Sequence, residues 1–444
     1  MKKIISSIQD IWKIEELRNK ILLTLGLMVV YRLGAQITLP GIDATQLKGL
    51  AANADGGLIG LLNMFTGGAF ARASIMALGI MPYISASIVV QLMGIAIPYL
   101  QKLKNEGESG NKKITQITRW LTIVILIVQA PTFIYSLPSL GVPESAYLIG
   151  KGPLFWFSSI LLLTTGTVFA MWLGERITEK GIGNGISLLI TIGIIARLPQ
   201  SFMQEVVSKL EAGNGGALMI LIEVIIWFLV ILASIFLVTA IRKISVRYAR
   251  RTVAGDVGNI AGSRDYVPLK LNSAGVMPII FAQALMFVPA LLKDSSNEMM
   301  ASFGQRFTDM FGWEYNVLFG ILIIVFGFFY TAITIPTNKM ADDLKRGGGF
   351  VPGFKPGTET ADYLDTVLSR ITFPGLLFLV ALAVLPAFVV KFGVSSGWAM
   401  FYGGTSLIIM VGVAIDTIQQ IKSHLLNRHY DGLMKTGSKR KSIS

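Results

Sequence analysis

Long apolar runs, divided by short polar, charged or glycine-rich stretches, make up most of this chain. Ten of them approach the ~20 residues that a helix rising ~1.5 Å per residue needs to cross a ~30 Å hydrocarbon core. They fall at 21–39, 75–97, 120–138, 154–174, 183–200, 217–240, 273–292, 317–336, 371–390 and 398–420. The stretch 57–97, GLIGLLNMFTGGAFARASIMALGIMPYISASIVVQLMGIAI, departs from the pattern. Its first part is apolar but interrupted by Asn63, Thr66, Gly67 and Gly68, and Arg72 and Ser74 close it off before the full-length run begins. A helical piece that short reaches at most about two-thirds of the way across. Irregular backbone at membrane depth survives only where protein or a water-filled cavity surrounds it, so the piece is expected to be tucked inside the molecule. In the run that follows, Ile80, Ile84 and Ile88 recur every fourth residue along one helical stripe, beside a face carrying Ser85, Ser87 and Gln91. A short stopper beside an apolar stripe and a polar seam predicts a plugged channel.

Composition sharpens this. Of 444 residues, 53% are hydrophobic and 15% charged, where a soluble domain carries about a quarter charged. The fold class is an all-α polytopic membrane protein. The chain has no cysteine, which excludes disulfides and thiolate chemistry. The net charge of +13 would suit nucleic acid, but in a membrane protein cations gather on cytoplasmic loops for topological reasons; no DNA partner is expected. Residues 1–20 place Ile11, Trp12, Ile14 and Leu17 among charges, a cytoplasmic amphipathic surface helix and not the apolar core of a cleaved signal.

With the amino terminus in the cytoplasm, thirty of the 39 Lys and Arg fall on that side and seven on the other. Both termini are therefore expected inside. Two cytoplasmic stretches, 241–272 and 337–370, are too long and patterned to be plain connectors. They carry Arg247, Arg250, Arg251, Lys345, Arg346 and Lys355. One reading is a solvated surface beside anionic lipid; the other is a docking site for a cytosolic partner. Five runs precede an external hinge loop at 201–216 and five follow it. An odd number per half inverts the second half relative to the first and places a path along their interface.

Catalytic chemistry finds no candidates. The two histidines, His424 and His429, lie in the basic tail at 421–444, and no HExxH or phosphate-loop GK[ST] occurs. No metal or cofactor is expected, and energy must come from outside the chain. Ionisable residues inside the runs include Arg32, Glu223 and Asp416, each near an end where snorkelling is easy. The missing midplane carboxylate weighs against the competing reading, a small-solute carrier built on inverted repeats. An intramembrane enzyme would need a nucleophile facing a base, and no such pair stands out. The glycines of GIGNGIS, at 181–187, each cost about 1 kcal/mol against alanine in a helix, which points to close backbone approach; Ile186 and Ile190 follow, again four apart.

MFTGGAFARASIMALGIMPYISASIVVQL, NEGESGNKKITQ, MWLGERITEKGIGNGISLLI, FVPGFKPGTETADYLD and FYGGTSLII occur in this order from the first run to the last. Together they strongly resemble the SecY family, the central channel subunits of the bacterial Sec protein translocase. The resemblance implies ten transmembrane helices in two inverted, pseudo-symmetric five-helix halves, 21–200 and 217–420, around a central hourglass pore. It implies a waist ring of Ile80, Ile84, Ile186, Ile190, Ile280 and Ile409, where apolar side chains resist wetting when closed. It makes 57–74 a plug, with Asn63, Met64, Phe65, Thr66, Gly67, Gly68, Phe70 and Arg72. A lateral gate follows with Ser87, Gln91 and Gln283 as its polar candidates. The function implied is a channel in the bacterial plasma membrane that passes unfolded secretory polypeptides and releases transmembrane segments sideways into lipid. The implied partners are SecE-like and SecG-like small subunits, the SecA motor ATPase, the ribosome, signal peptides with their preprotein chains, and membrane lipid. Where the family's loop motif carries Arg before Pro-Gly, this chain has Lys355, which keeps the charge and lacks the guanidinium fork.

Overall fold

The computed structural model describes residue 12 and residues 14–47, 57–138, 140–148, 150–211, 216–248, 264–291, 298–307 and 309–440. The chain forms two compact units: residues 1–208, 396–398 and 413–444 make the first, and residues 209–395 and 399–412 the second.

The first unit runs through α1 (Glu15–Gly34), the short α2 (Gly57–Phe65), α3 (Met81–Ala96), α4 (Pro98–Asn105), α5 (Glu108–Ser136), α6 (Pro153–Lys180) and most of α7 (Gly185–Glu211). Proline opens α4 and α6, where its missing N–H costs no helical bond. Ile97, held extended before Pro98, turns the chain by 102° between α3 and α4. Gly107, at φ +73°, then reverses it into α5, and Gly110 has no room for a side chain against the Leu103 carbonyl. α3 and α6 both pack on α5, and α1 on α6.

The second unit contains α8 (Gly216–Thr239), β1 (Ile241–Tyr248), β2 (Arg264–Lys270), α9 (Met277–Leu291), α10 (Glu298–Arg306), α11 (Trp313–Thr334), α12 (Thr337–Arg346), β3 (Gly349–Phe350) and α13 (Thr358–Lys391). The short α14 (Ser396–Ala399) and the long α15 (Gly404–Arg440) contribute to both units. α11 packs between α9 and α13, with Phe281 edge-on to both Phe326 and Tyr330. Among the described residues, seven helices are long and apolar enough to cross a membrane, and α3 with α4 adds an eighth if the bent pair is one span.

Three expectations change. The run 75–97 becomes helix only at Met81, because backbone pairing further along the chain claims its start. Leu39 N–H donates to the Ala73 carbonyl at 2.9 Å and Ile75 N–H to the Ile37 carbonyl at 3.0 Å, while Ala73 and Gly79 take φ +43° and +54°, values that break a helix. Most of the supposed hinge loop 201–216 is helix, since α7 continues through Pro199 to Glu211. The halves do not divide at that loop alone, because α15 leaves the second unit at Gly412. The helical fold also carries one small sheet: IRKISVRY and RDYVPLK alternate with period two and pair antiparallel, with Ile244 opposite Val267, and β3 adds to the other edge of β1. Ile244, Val246, Leu269, Val351 and Leu364 form the core beneath this sheet.

Candidate functional site

The segment expected to form a plug is a helix followed by a tightly tied knot. Thr66 ends α2 by donating its hydroxyl to the Leu62 carbonyl at 3.0 Å, and the same oxygen accepts from the Phe70 N–H at 3.2 Å. The Asn63 side chain, fully buried, accepts from the Ala71 N–H at 3.0 Å through Oδ1, and its carbonyl accepts from the Gly68 N–H at 2.8 Å. Gly67 and Gly68 supply the positive φ that the reversal requires, +64° and +88°. Met64, Phe65 and Phe70 are buried, and the Phe70 ring stands edge-on to Phe133 of α5 at 5.1 Å. Arg72 is half-buried, and its Nη1 has no hydrogen-bond partner.

Four of the predicted ring residues meet in the first unit. Ile80 caps α3, Ile84 lies one turn in, and Ile186 and Ile190 come from the start of α7. Ile80, Ile84 and Ile186 belong to one apolar cluster with Tyr31, Met76 and Leu189. A small cavity of about 10 Å³, room for a single water, is lined by Tyr31, Phe65, Thr66, Ile80, Met81, Ile84 and Ile190. Phe65 and Thr66, at the end of α2, therefore share this cavity with Ile80, Ile84 and Ile190. In the second unit Ile280 of α9 is half-buried and Ile409 of α15 is buried. α15 touches the residue just before α9, where a methyl on Gly412 would lie 3.0 Å from a Val276 methyl.

The gate candidates divide. Gln91 Nε2 donates to Ser87 Oγ at 3.2 Å, one turn apart on an accessible face of α3. Gln283 is instead 2% exposed within the second unit, and its Oε1 has no partner. On the docking stretches, Arg247 is exposed on β1 opposite Phe350. Lys345 and Arg346 are exposed in the last turn of α12. Lys355 is exposed between glycine turns at Gly353 and Gly357, φ +94° and +113°, where its N–H donates to the Glu359 carboxylate at 3.1 Å. Arg250 and Arg251 lie outside the described residues.

Two ionisable residues behave otherwise than expected. Arg32 does not snorkel: Nη1 donates to the Gly67 carbonyl at 3.0 Å, joining α1 to the plug knot. Glu223 is buried and accepts from Lys209 Nζ at 3.3 Å, and the same ammonium donates to the Gly393 carbonyl at 2.7 Å. Sequence reasoning also missed the bidentate pair of Arg119 and Glu175 and the role of Gly193. A methyl on Gly193 would overlap the Phe65 carbonyl; the available signal was a glycine inside a strongly apolar helix, a position that marks close backbone contact.

The SecY family model matches residues 74–418. The chain belongs to the SecY family. SecY-family relatives agree along nearly the whole length: the protein translocase subunit SecY of Haemophilus influenzae is 40% identical over 435 residues, covering 95% of this chain and 94% of its own. That of Streptomyces coelicolor is 39% identical, covering 96% and 98%. Among solved structures, a protein-conducting channel superposes with a TM-score of 0.59 at 18% identity, over 91% of each chain. A SecY whose plug domain stabilises the closed state of the translocation channel gives 0.60 at 17% identity, again over 91% of each. Canine Sec61 in its complex with the ribosome gives 0.56 at 17% identity, with the same coverage. At these identities the structures speak for the shared SecY fold.

Proposed function

We propose that this chain is the pore-forming subunit of a bacterial protein translocase: a multi-pass plasma-membrane channel that passes unfolded secretory polypeptides and releases transmembrane segments into lipid. The observation that carries the reading is the seat of the plug, where Phe65 and Thr66 share a cavity with Ile80, Ile84 and Ile190 in a chain of the SecY family. A stopper resting on aliphatic side chains can seal against water and ions without binding a passing chain. The ten spans are the seven long helices plus α1, α3 and α9, with both termini in the cytoplasm. Ile186, Ile280 and Ile409 complete the ring, and Ser87, Gln91 and Gln283 belong to the gate. The chain performs no catalysis of its own; SecA, the ribosome or the proton motive force supplies energy, and SecE-like and SecG-like subunits complete the complex. The ribosome reading is supported by the ribosome-bound Sec61 relative, and the cations Arg247, Lys345, Arg346 and Lys355 suit such docking by their charge and exposure.

The test is reconstitution with the small subunits in vesicles. Addition of SecA, ATP and a signal-bearing precursor is expected to move the precursor to a protease-protected lumen. Saturable uptake of a small solute, with no protected precursor, would overturn the reading in favour of a carrier.

A further inference from the structure

Three spanning helices of the first unit each present a glycine to the chain around the plug. On α7, a methyl at Gly193 would overlap the Phe65 carbonyl and come within 3.2 Å of the Gly67 nitrogen. On α6, a methyl at Gly166 would overlap the Ile75 carbonyl. On α1, one at Gly34 would lie 2.5 Å from Met76 Cε. Segment 65–76 is thus seated in a glycine-lined cradle, and it is also paired by backbone bonds to 37–39. Nothing about sliding this segment is cheap, since each contact is between backbone atoms or against a buried side chain.

Above the cradle sits one charged side chain from a spanning helix. Arg32 reaches 35 residues along the sequence to the Gly67 carbonyl, which α2 leaves without a helical partner at its own end. Arg72 lies close enough to Arg32 for the two cations to repel, and its Nη1 is buried without an acceptor. The bond that holds Gly67 is therefore opposed by a like charge.

We propose that Arg32 is a positioning residue that latches the root of the plug, so that the plug opens as a lever about 65–68 while 69–80 stays seated in the cradle. The proposal rests on the reading of Gly57–Phe65 as a plug and adds the residue that holds it. In the closed channel the Arg32 guanidinium and the Gly193 backbone both crowd the Gly67 end of the Phe65–Gly67 turn, where one methyl on Gly67 would meet them both. Opening requires the Arg32 bond to break and leaves the cradle intact, which returns the plug to the same place.

The test uses the complete reconstituted translocase and reads ion leak through resting channels. A second readout is the labelling rate of a single Thr66→Cys by a membrane-impermeant thiol reagent; the absence of any native cysteine makes that signal clean, and Thr66 is 1% exposed when closed. Arg32→Leu is expected to raise both by about tenfold, the scale of one charge-assisted hydrogen bond; Arg32→Lys is expected to recover part of the closure. Gly193→Ala is expected to act in the same direction by pushing Phe65 off its seat, whereas Gly26→Ala, with open space around it, is expected to change neither. Normal leak and labelling in both Arg32→Leu and Gly193→Ala, in complexes assembled at normal yield, would overturn the latch. Deleting 57–65 separates the two readings: if the deletion leaks and Arg32→Leu does not, only the latch fails; if the deletion does not leak, the plug reading fails with it.

Discussion

Glu175 of α6 accepts both arms of the Arg119 guanidinium from α5, 2.9 Å from Nε and 2.8 Å from Nη2. The Glu175 side chain is 13% exposed and that of Arg119 38%, so solvent screens the pair only in part. Arg119 stands beside Trp120, and Glu175 lies three residues past Trp172, which stacks on Phe169. Aromatic residues of this kind favour the membrane–water boundary, and the pair fastens two helices at that level. Arg119→Ala is expected to lower the stability of the first unit by about 1.5–3 kcal/mol, and Arg119→Lys by less, since lysine keeps the charge and loses the fork. Thermal unfolding of the purified complex measures this. Adding Glu175→Gln to Arg119→Ala is expected to cost little more; fully additive losses would show that the two side chains act independently.

The ion pair of Lys209 and Glu223 is more buried, with side chains 15% and 8% exposed. Lys209, in the last turn of α7, also holds the Gly393 carbonyl beyond the end of α13. Removing one partner of a buried pair leaves the other charge uncompensated and typically costs about 3–5 kcal/mol. Lys209→Met is therefore expected to destabilise the second unit more than the combined Lys209→Met, Glu223→Leu variant does. Equal melting temperatures for the single and double variants would contradict this.

The sequence made the apolar spans, the short helix before Phe65 and the four-residue spacing of the isoleucines legible, because each depends on local periodicity. Leu58 to Phe70 is visibly too short to cross, and Ile80/Ile84 and Ile186/Ile190 are visibly one turn apart. What it hid depends on partners far along the chain. Residues 75–80 look as helical as those after them, yet pairing with 37–39 keeps them extended or turned. Glu223 near a span end suggests snorkelling, and only the fold brings Lys209 to it. Gln283 looks like any polar residue within an apolar run, and only the packing around it buries it. The strands escaped notice because a long basic stretch suggests a solvated loop, although Ile244 and Val246 alternate with exposed residues as a strand with one buried face requires.

The ring assignment predicts that polarity at the waist loosens the closed state. Ile84 packs in the cluster of Tyr31, Met76 and Ile80 and lines the plug's cavity, and Ile409 is 2% exposed. Ile84→Asn or Ile409→Asn places an amide where an aliphatic side chain excludes water, and its hydration favours a wetted pore. Export of a precursor with a defective signal sequence is expected to rise, together with ion leak. Unchanged leak in vesicles carrying either variant would remove that residue from the ring.

In the turn after Ile42, Asp43 accepts hydrogen bonds from the Thr45 N–H at 2.9 Å, from the Thr45 hydroxyl at 2.8 Å and from the Gln46 amide. The Thr45 N–H foremost, then its hydroxyl, hold this carboxyl below the usual carboxylate range. Because the folded value is depressed, the turn gains stability that is present above the unfolded value near ~4 and is lost as pH falls through the folded one. Amide exchange at Thr45 is expected to quicken below about pH 4 relative to neighbouring amides, and Asp43→Ala is expected to remove that dependence. Retention of the acid-induced change in Asp43→Ala would assign it to another group.

Lys355 bears on what drives transport. Phe354 stacks on Tyr363 at 4.1 Å, and Val351 anchors the start of the same loop in the core beneath the sheet. The backbone around Lys355 is therefore fixed while its side chain projects, 86% exposed, with only a 3.6 Å ion pair to Glu359. An exposed pair of that kind contributes at most about 1 kcal/mol, so Lys355→Glu is expected to leave folding and membrane insertion unchanged. It does reverse the charge offered to a cytosolic motor, and SecA-driven translocation of a precursor is expected to fall by at least tenfold, about 1.4 kcal/mol at the docking step. Lys355→Arg is expected to match or exceed the native rate, because the guanidinium adds a fork for carboxylate partners. Normal SecA-driven translocation by Lys355→Glu would place the docking contact elsewhere. A loss shared equally by Lys355→Arg would point instead to a steric constraint on the loop.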